Sequence, residues 1–152
     1  MHGIRLALAF ACAIWSGAAV AQDANRQRVD VALVLTVDAS GSIDSDEFLL
    51  QKQGIAGAVA NPEVLSTIRS GRNGRIAIAY VEWGAPGGAQ LVVDWMLVED
   101  AASAAAFGSA VLDAPRSVQS YNAIGDAIDL AVNLFDAYPP PAGTAHHRRF
   151  RR

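Results

Sequence analysis

Cysteine is all but absent from this chain. Its single cysteine, Cys12, lies inside the apolar run Leu6 to Trp15. If that run is removed as a leader, no thiol remains, and disulfides, thiolate metal sites and cysteine nucleophiles are excluded together. Histidine is nearly as scarce: His2 precedes the run, and His146 and His147 sit among the last residues. A serine nucleophile in the body of the chain therefore has no imidazole base nearby in sequence. No acidic residue follows Asp136. There is no internal repeat, and the apolar run near the start is too short to span a bilayer.

What is present reads as one globular domain: 152 residues, of which 52% are hydrophobic. The first residues stand apart. His2 and Arg5 precede the apolar run, and Ala19-Val20-Ala21 supplies small residues before Gln22, so residues 1–21 are expected to be a secretory signal peptide. The mature protein is then periplasmic or secreted, with no stable membrane anchor. All 15 acidic residues fall between Asp23 and Asp136, against seven of the 12 basic ones. An acidic body disfavours nucleic acid as a partner. Four of the remaining arginines belong to the closing "HHRRFRR", part of a stretch, residues 139–152, expected to be a disordered basic tail.

Between these ends the apolar patterns alternate in type. "VDVALVLTV" (Val29 to Val37) is nearly continuous and β-branched, as in a strand buried on both faces. Asp44 or Ser45 can cap a helix whose first turn holds Asp46 and Glu47 and whose apolar positions are Phe48, Leu49, Ile55 and Val59, stopped by Asn61-Pro62. A short helix within "PEVLSTIRSGRNG" precedes two strand-like runs, Arg75 to Trp83 and Leu91 to Val98. The loop between these is too short for a crossover helix, which predicts an antiparallel edge hairpin with Trp83 and Trp95 as packing residues. "EDAASAAAFGSAVLDA" predicts a helix with Phe107, Val111 and Leu112 on its apolar side. "SYNAIGDAIDLAVNLFDAY" predicts a second, with Ile124, Ile128, Ala131, Leu134 and Phe135 at helical spacing.

The chemistry concentrates where the first strand ends. In "VDASGSID" side chains alternate along an extended segment, so Asp38, Ser40 and Ser42 can share one concavity at the carboxyl end of the strand. In open α/β sheets that is where ligands bind. One carboxylate and two hydroxyls are hard oxygen donors suited to Mg²⁺, which keeps several waters and takes few protein charges. A calcium loop of the EF-hand type is a rival for the same residues: begun at Thr36, it would use Asp38, Ser40, Gly41, Asp44 and Glu47, but it requires a helix before the loop. A serine hydrolase would need G-x-S-x-G and a base. Aspartyl phosphoryl transfer would want a second carboxylate near Ala39-Ser40.

Asp38-Ala39-Ser40-Gly41-Ser42 resembles the DxSxS motif of von Willebrand factor type A domains, the first part of their metal-ion-dependent adhesion site. "AYVEWG" (Ala79 to Gly84) and "AIGDAIDLA" (Ala123 to Ala131) resemble a bacterial, secreted family of such domains without assigned function. The likeness covers about Asp30 to Tyr138, giving a partial domain over 29–138. It implies an α/β, doubly wound Rossmann-like sheet with helices on both faces. It also implies a divalent ion, Mg²⁺ or else Mn²⁺ or Ca²⁺, held by Asp38, Ser40, Ser42 and Asn122 and bridging to an acidic side chain of a protein partner. Asn122 stands where the family usually has a threonine.

Members of that family continue into a further core strand ending in an aspartate of the same site. Here prolines, histidines and arginines follow Tyr138, so the carboxyl-terminal strands are expected to be missing through truncation or a shifted frame. The first strand would then keep an unpaired edge, an aggregation hazard. The resulting expectation is a non-enzymatic, exported module for cation-dependent protein binding, impaired by truncation. Its alternative is a fragment in which the DxSxS loop is only structural.

Overall fold

The computed structural model describes residues 28–84, 88–117 and 124–138. Within it Val29–Tyr138 forms one compact unit. The elements run β1 (Val31–Asp38), α1 (Ser45–Val59), α2 (Pro62–Arg69), β2 (Ile76–Trp83), β3 (Gln90–Val98), α3 (Ala101–Asp113) and α4 (Ile124–Ala137). The three strands make a mixed sheet in the order β1-β2-β3. β1 and β2 are parallel, in register from Val31 opposite Ile76 to Asp38 opposite Trp83. β2 and β3 form the antiparallel hairpin, with a register irregularity around Tyr80.

The parallel pair is joined by α1 and α2, as a parallel connection requires. Each of these helices begins on an Asx cap. Asp44 Oδ1 accepts the backbone N–H of Asp46 (2.8 Å) and Glu47 (2.9 Å), while Glu47 Oε2 accepts the Asp44 N–H (3.0 Å), which closes a capping box. Asn61 caps α2, with Pro62 at its first position, where a missing N–H is harmless.

One core lies between the sheet and the first three helices: Val37, Ile78, Tyr80, Val93 and Val98 from the strands meet Val59, Leu65, Ile68, Ala104, Phe107 and Val111. α1 packs along α3, and α3 on β3. Gly108 of α3 sits where a Cβ would come within 3.2 Å of the Ala56 methyl, so the two helices approach closely there. The alternate residues of β2, Ala77, Ala79 and Val81, are also buried and face the other way. α4 packs on β1 and β2 and gives no residue to the first core, so it covers this second face. Near its end, Phe135 and Tyr138 ring Trp95 of β3 at 5.9 and 4.8 Å between centroids. The sheet thus carries helices on both faces. No helix among the described residues is long and apolar enough to cross a membrane.

Three expectations change. β1 is not buried throughout: Val31 is 51% and Leu33 38% exposed. Among the described residues β1 pairs only with β2, and the core centres on β2, so side chains at the start of β1 have no neighbour on one flank. Leu49 of α1 is exposed, whereas Lys52 on the same helix is buried. Its Nζ donates to the carbonyls of Leu112 (2.9 Å) and Ala114 (2.6 Å) at the end of α3 and lies 5.7 Å from the centroid of the Phe48 ring. A cation is favourable at that pole of a helix, which is why an amine replaces an apolar side chain here. On α4, Ala127 is buried but Ile124, Ile128 and Phe135 are exposed, so most of the expected apolar face points outward.

Candidate metal centre

β1 ends at Asp38, and the chain is held in place over the next residues by bonds from three directions. From β2, the carbonyl of Trp83 accepts the Ala39 N–H at 2.7 Å, which extends the parallel ladder one step. Within the loop, Asp38 Oδ1 accepts the Ser40 N–H at 2.7 Å, and the Ser40 carbonyl accepts the Ile43 N–H at 3.1 Å. Small polar residues favour such side-chain-to-backbone turns. From the far side, Arg116 reaches in after α3. Its Nε donates to the Ala39 carbonyl (3.2 Å), and its Nη2 to the carbonyls of Ala39 (3.0 Å), Ser40 (2.6 Å) and Ile43 (2.8 Å). The guanidinium carbon lies 4.6 Å from the centroid of the Phe48 ring, a cation–π contact at the first turn of α1.

These restraints bring two of the sequence-predicted ligands together. Ser40 Oγ and Ser42 Oγ are 3.1 Å apart, the first buried and the second exposed. Asp38 is anchored beside them through Oδ1. Its Oδ2 has no hydrogen-bond partner among the described residues. Asn122 lies outside the described residues, as do residues 1–21, the tail 139–152, and all three histidines.

The donor set can be tested against ion size. Ligands at right angles and 2.0–2.1 Å, as Mg²⁺ demands, place neighbouring oxygens about 2.9 Å apart, whereas Ca²⁺ at about 2.4 Å places them about 3.4 Å apart. The observed 3.1 Å is a hydroxyl–hydroxyl hydrogen-bond distance and lies between the two, so the spacing itself does not choose between the ions. Hydroxyls outnumber carboxylates here. Among the described residues no three His, Cys, Asp or Glu side chains gather as a metal cluster. Asp38, Ser40 and Ser42 therefore fit a small, hard ion that keeps much of its water, not a site of high charge density.

The rival chemistries fare worse. A strand, β1, leads into the loop, and Thr36 is part of it, so the helix an EF-hand needs is replaced by a pleated backbone that cannot wrap a calcium loop. Among the described residues, Ser40 Oγ meets the Ser42 hydroxyl and no base.

Five residues of the site region were not singled out from sequence. Glu82 of β2 is fully buried, and its Oε2 accepts both the N–H (2.8 Å) and the hydroxyl (2.7 Å) of Ser117. Among the described residues, its Oε1 and the buried Tyr80 hydroxyl make no hydrogen bond of ordinary geometry. Burial first, and the Glu82 charge second, hold the Tyr80 phenol above its usual range. Gly84 leaves β2 against the loop: a Cβ there would lie 2.8 Å from the Ser40 nitrogen and 2.9 Å from its Cα. A charged residue inside the apolar run "IAIAYVEW" was the available signal for Glu82. Arg116, 77 residues from Ala39, offered none.

No relative among curated proteins matches the chain. Among solved structures it is similar to the vWF domain of the type V pili tip protein Mfa5 of Porphyromonas gingivalis. Identity is 15% over 71% of this chain, with a TM-score of 0.44. The chain spans about a third of that protein's chain (33%), and the likeness is too distant to inform function. Residues 28–145 match the family described as "Protein of unknown function (DUF1194)", and the chain belongs to that family.

Proposed function

We propose that this protein is an exported interaction module that binds a protein partner through a divalent cation held at Asp38, Ser40 and Ser42. Mg²⁺ fits best, with Mn²⁺ or Ca²⁺ as substitutes, and an acidic side chain of the partner completes the coordination. The observation that carries this is the Ser40–Ser42 hydroxyl pair, 3.1 Å apart at the carboxyl end of a parallel strand, beside a carboxylate whose Oδ2 is unengaged among the described residues. When bound, the ion supplies a Lewis-acidic contact point for an anionic group. The protein's own part is to present three oxygens on a fixed backbone and to leave the remaining positions to water or the partner.

The bond from the Ser40 N–H to Asp38 favours a second reading, in which the three residues only shape the turn and cap the approach to α1. Isothermal titration separates the two. Mg²⁺ and Mn²⁺ are titrated into the full chain and into its Asp38→Ala variant, with folding of both checked by circular dichroism. The binding function predicts heat from the parent protein that the variant loses. Indistinguishable heats from the two would leave only the structural role.

A further inference from the structure

A pair of hydroxyl ligands binds an ion well only if its backbone is held in place before the ion arrives. Ser40 is buried, but Gly41 and Ser42 are exposed, so packing holds only one end of the pair, and the hydrogen bond between the two hydroxyls (3.1 Å) joins them without fixing the backbone on either side. The neighbouring carbonyls are held instead. Ala39, Ser40 and Ile43 all direct their oxygens to one guanidinium, that of Arg116. These carbonyls bracket the two serines in sequence. Gly84 closes the loop from the β2 side, where even a methyl group would meet the Ser40 backbone.

Arg116 is itself fixed at two places. Its guanidinium lies against Phe48, which is buried in the first turn of α1. The next residue, Ser117, is fastened by its N–H and hydroxyl to the buried Glu82 carboxylate. A planar fork with several donors, already immobilised, can join three acceptors at little further entropic cost; an ammonium on a flexible stem cannot.

We infer that Arg116 is the positioning residue of this site: its guanidinium sets the Ser40–Ser42 spacing in the ion-free protein and thereby the affinity for the cation. That the hydroxyls serve an ion rests on the function proposed above; the positioning itself does not. Groups that orient ligands from behind are typically worth about 10- to 100-fold in metal affinity.

The test has two readouts on the full chain. The first is amide hydrogen exchange of Gly41 to Asp44 without added metal, in the parent protein and in Arg116→Ala and Arg116→Lys. Exchange at these amides is expected to rise about tenfold or more in the alanine variant while the core of β2 is unchanged. Lysine should recover little, and free guanidinium at non-denaturing concentration should slow exchange in the alanine variant. The second readout is Mn²⁺ affinity from the electron paramagnetic resonance signal of the free ion, expected to weaken about 10- to 100-fold in Arg116→Ala and to recover in part with guanidinium.

Unchanged loop exchange in Arg116→Ala overturns the inference, whatever the Mn²⁺ result. So does a uniform rise across all strands and helices, because Arg116 would then serve general stability. Faster loop exchange in a protein whose parent form takes up no Mn²⁺ upholds the positioning role and removes the cation function. Equal Mn²⁺ affinity in the parent protein and Arg116→Ala overturns the link to affinity. If Arg116→Ala fails to fold, Phe48→Leu, which removes the supporting ring and keeps an apolar side chain, carries the same comparison with a smaller expected rise.

Discussion

The two sides of β1 are built on opposite principles. At its carboxyl end, residues 39–44 are fixed by hydrogen bonds from β2, from their own turn and from Arg116, and a glycine lies against them where no larger residue fits. Along its outer edge no strand among the described residues pairs with β1, and Val31 and Leu33 stand partly in solvent. α4 continues that bareness, with Ile124, Ile128 and Val132 at 58%, 58% and 48% exposed and Phe135 at 45%. Among the described residues, directional bonds define one region and exposed apolar area defines the other. The lesson is that a short loop can be specified by a few long-range polar contacts, whatever pairs with the strand edge beside it.

Substitutions can break this comparison. The largest effect is expected for Gly84→Ala. Its Cβ would sit 2.8–3.0 Å from the backbone of Ser40 and Ala39, neither of which is a flexible side-chain end. Overpacking of this kind costs about 1–3 kcal/mol, measurable by urea denaturation, and it should weaken Mn²⁺ uptake through the same displacement. A variant as stable as the parent would show that the loop yields easily and is not pinned. Asp44→Ala comes next. Removing an Asx cap with its reciprocal Glu47 bond costs about 1 kcal/mol, and exchange should rise in the first turn of α1 while β3 is undisturbed. The smallest effect belongs to the open side. Ile128→Ser on the exposed stripe of α4 should shift stability by no more than about 0.5 kcal/mol. A loss well beyond that would mean that the stripe is covered in solution, and the contrast between the two regions would shrink accordingly.

Much of this architecture is legible in the sequence because it depends on neighbours. The β-branched run before Asp38, the Asp44 cap, the Asn61-Pro62 stop and the short loop before β3 are local signals, and each corresponds to an observed boundary within a residue or two. The alternation of Asp38, Ser40 and Ser42 was enough to single out the loop and the hydroxyl pair. What was not legible depends on residues distant in sequence. Lys52 reads as a gap in an apolar face until the last carbonyls of α3 are seen to need a donor. Arg116 is a lone basic residue in an acidic body until its three carbonyls are placed around it. Periodicity also overstated the burial of α4, since the pattern marks which residues could face a core without showing how much core lies opposite.

Lys52 has a practical corollary. It is the only lysine of the sequence, and with 5% of its surface exposed it is shielded from reagents in bulk water. An amine-directed ester should therefore react slowly with Lys52 in the native protein. Its modification would require α1 to lift away from the end of α3, so the rate at which the Lys52 label appears by mass spectrometry would serve as a built-in clock for that opening.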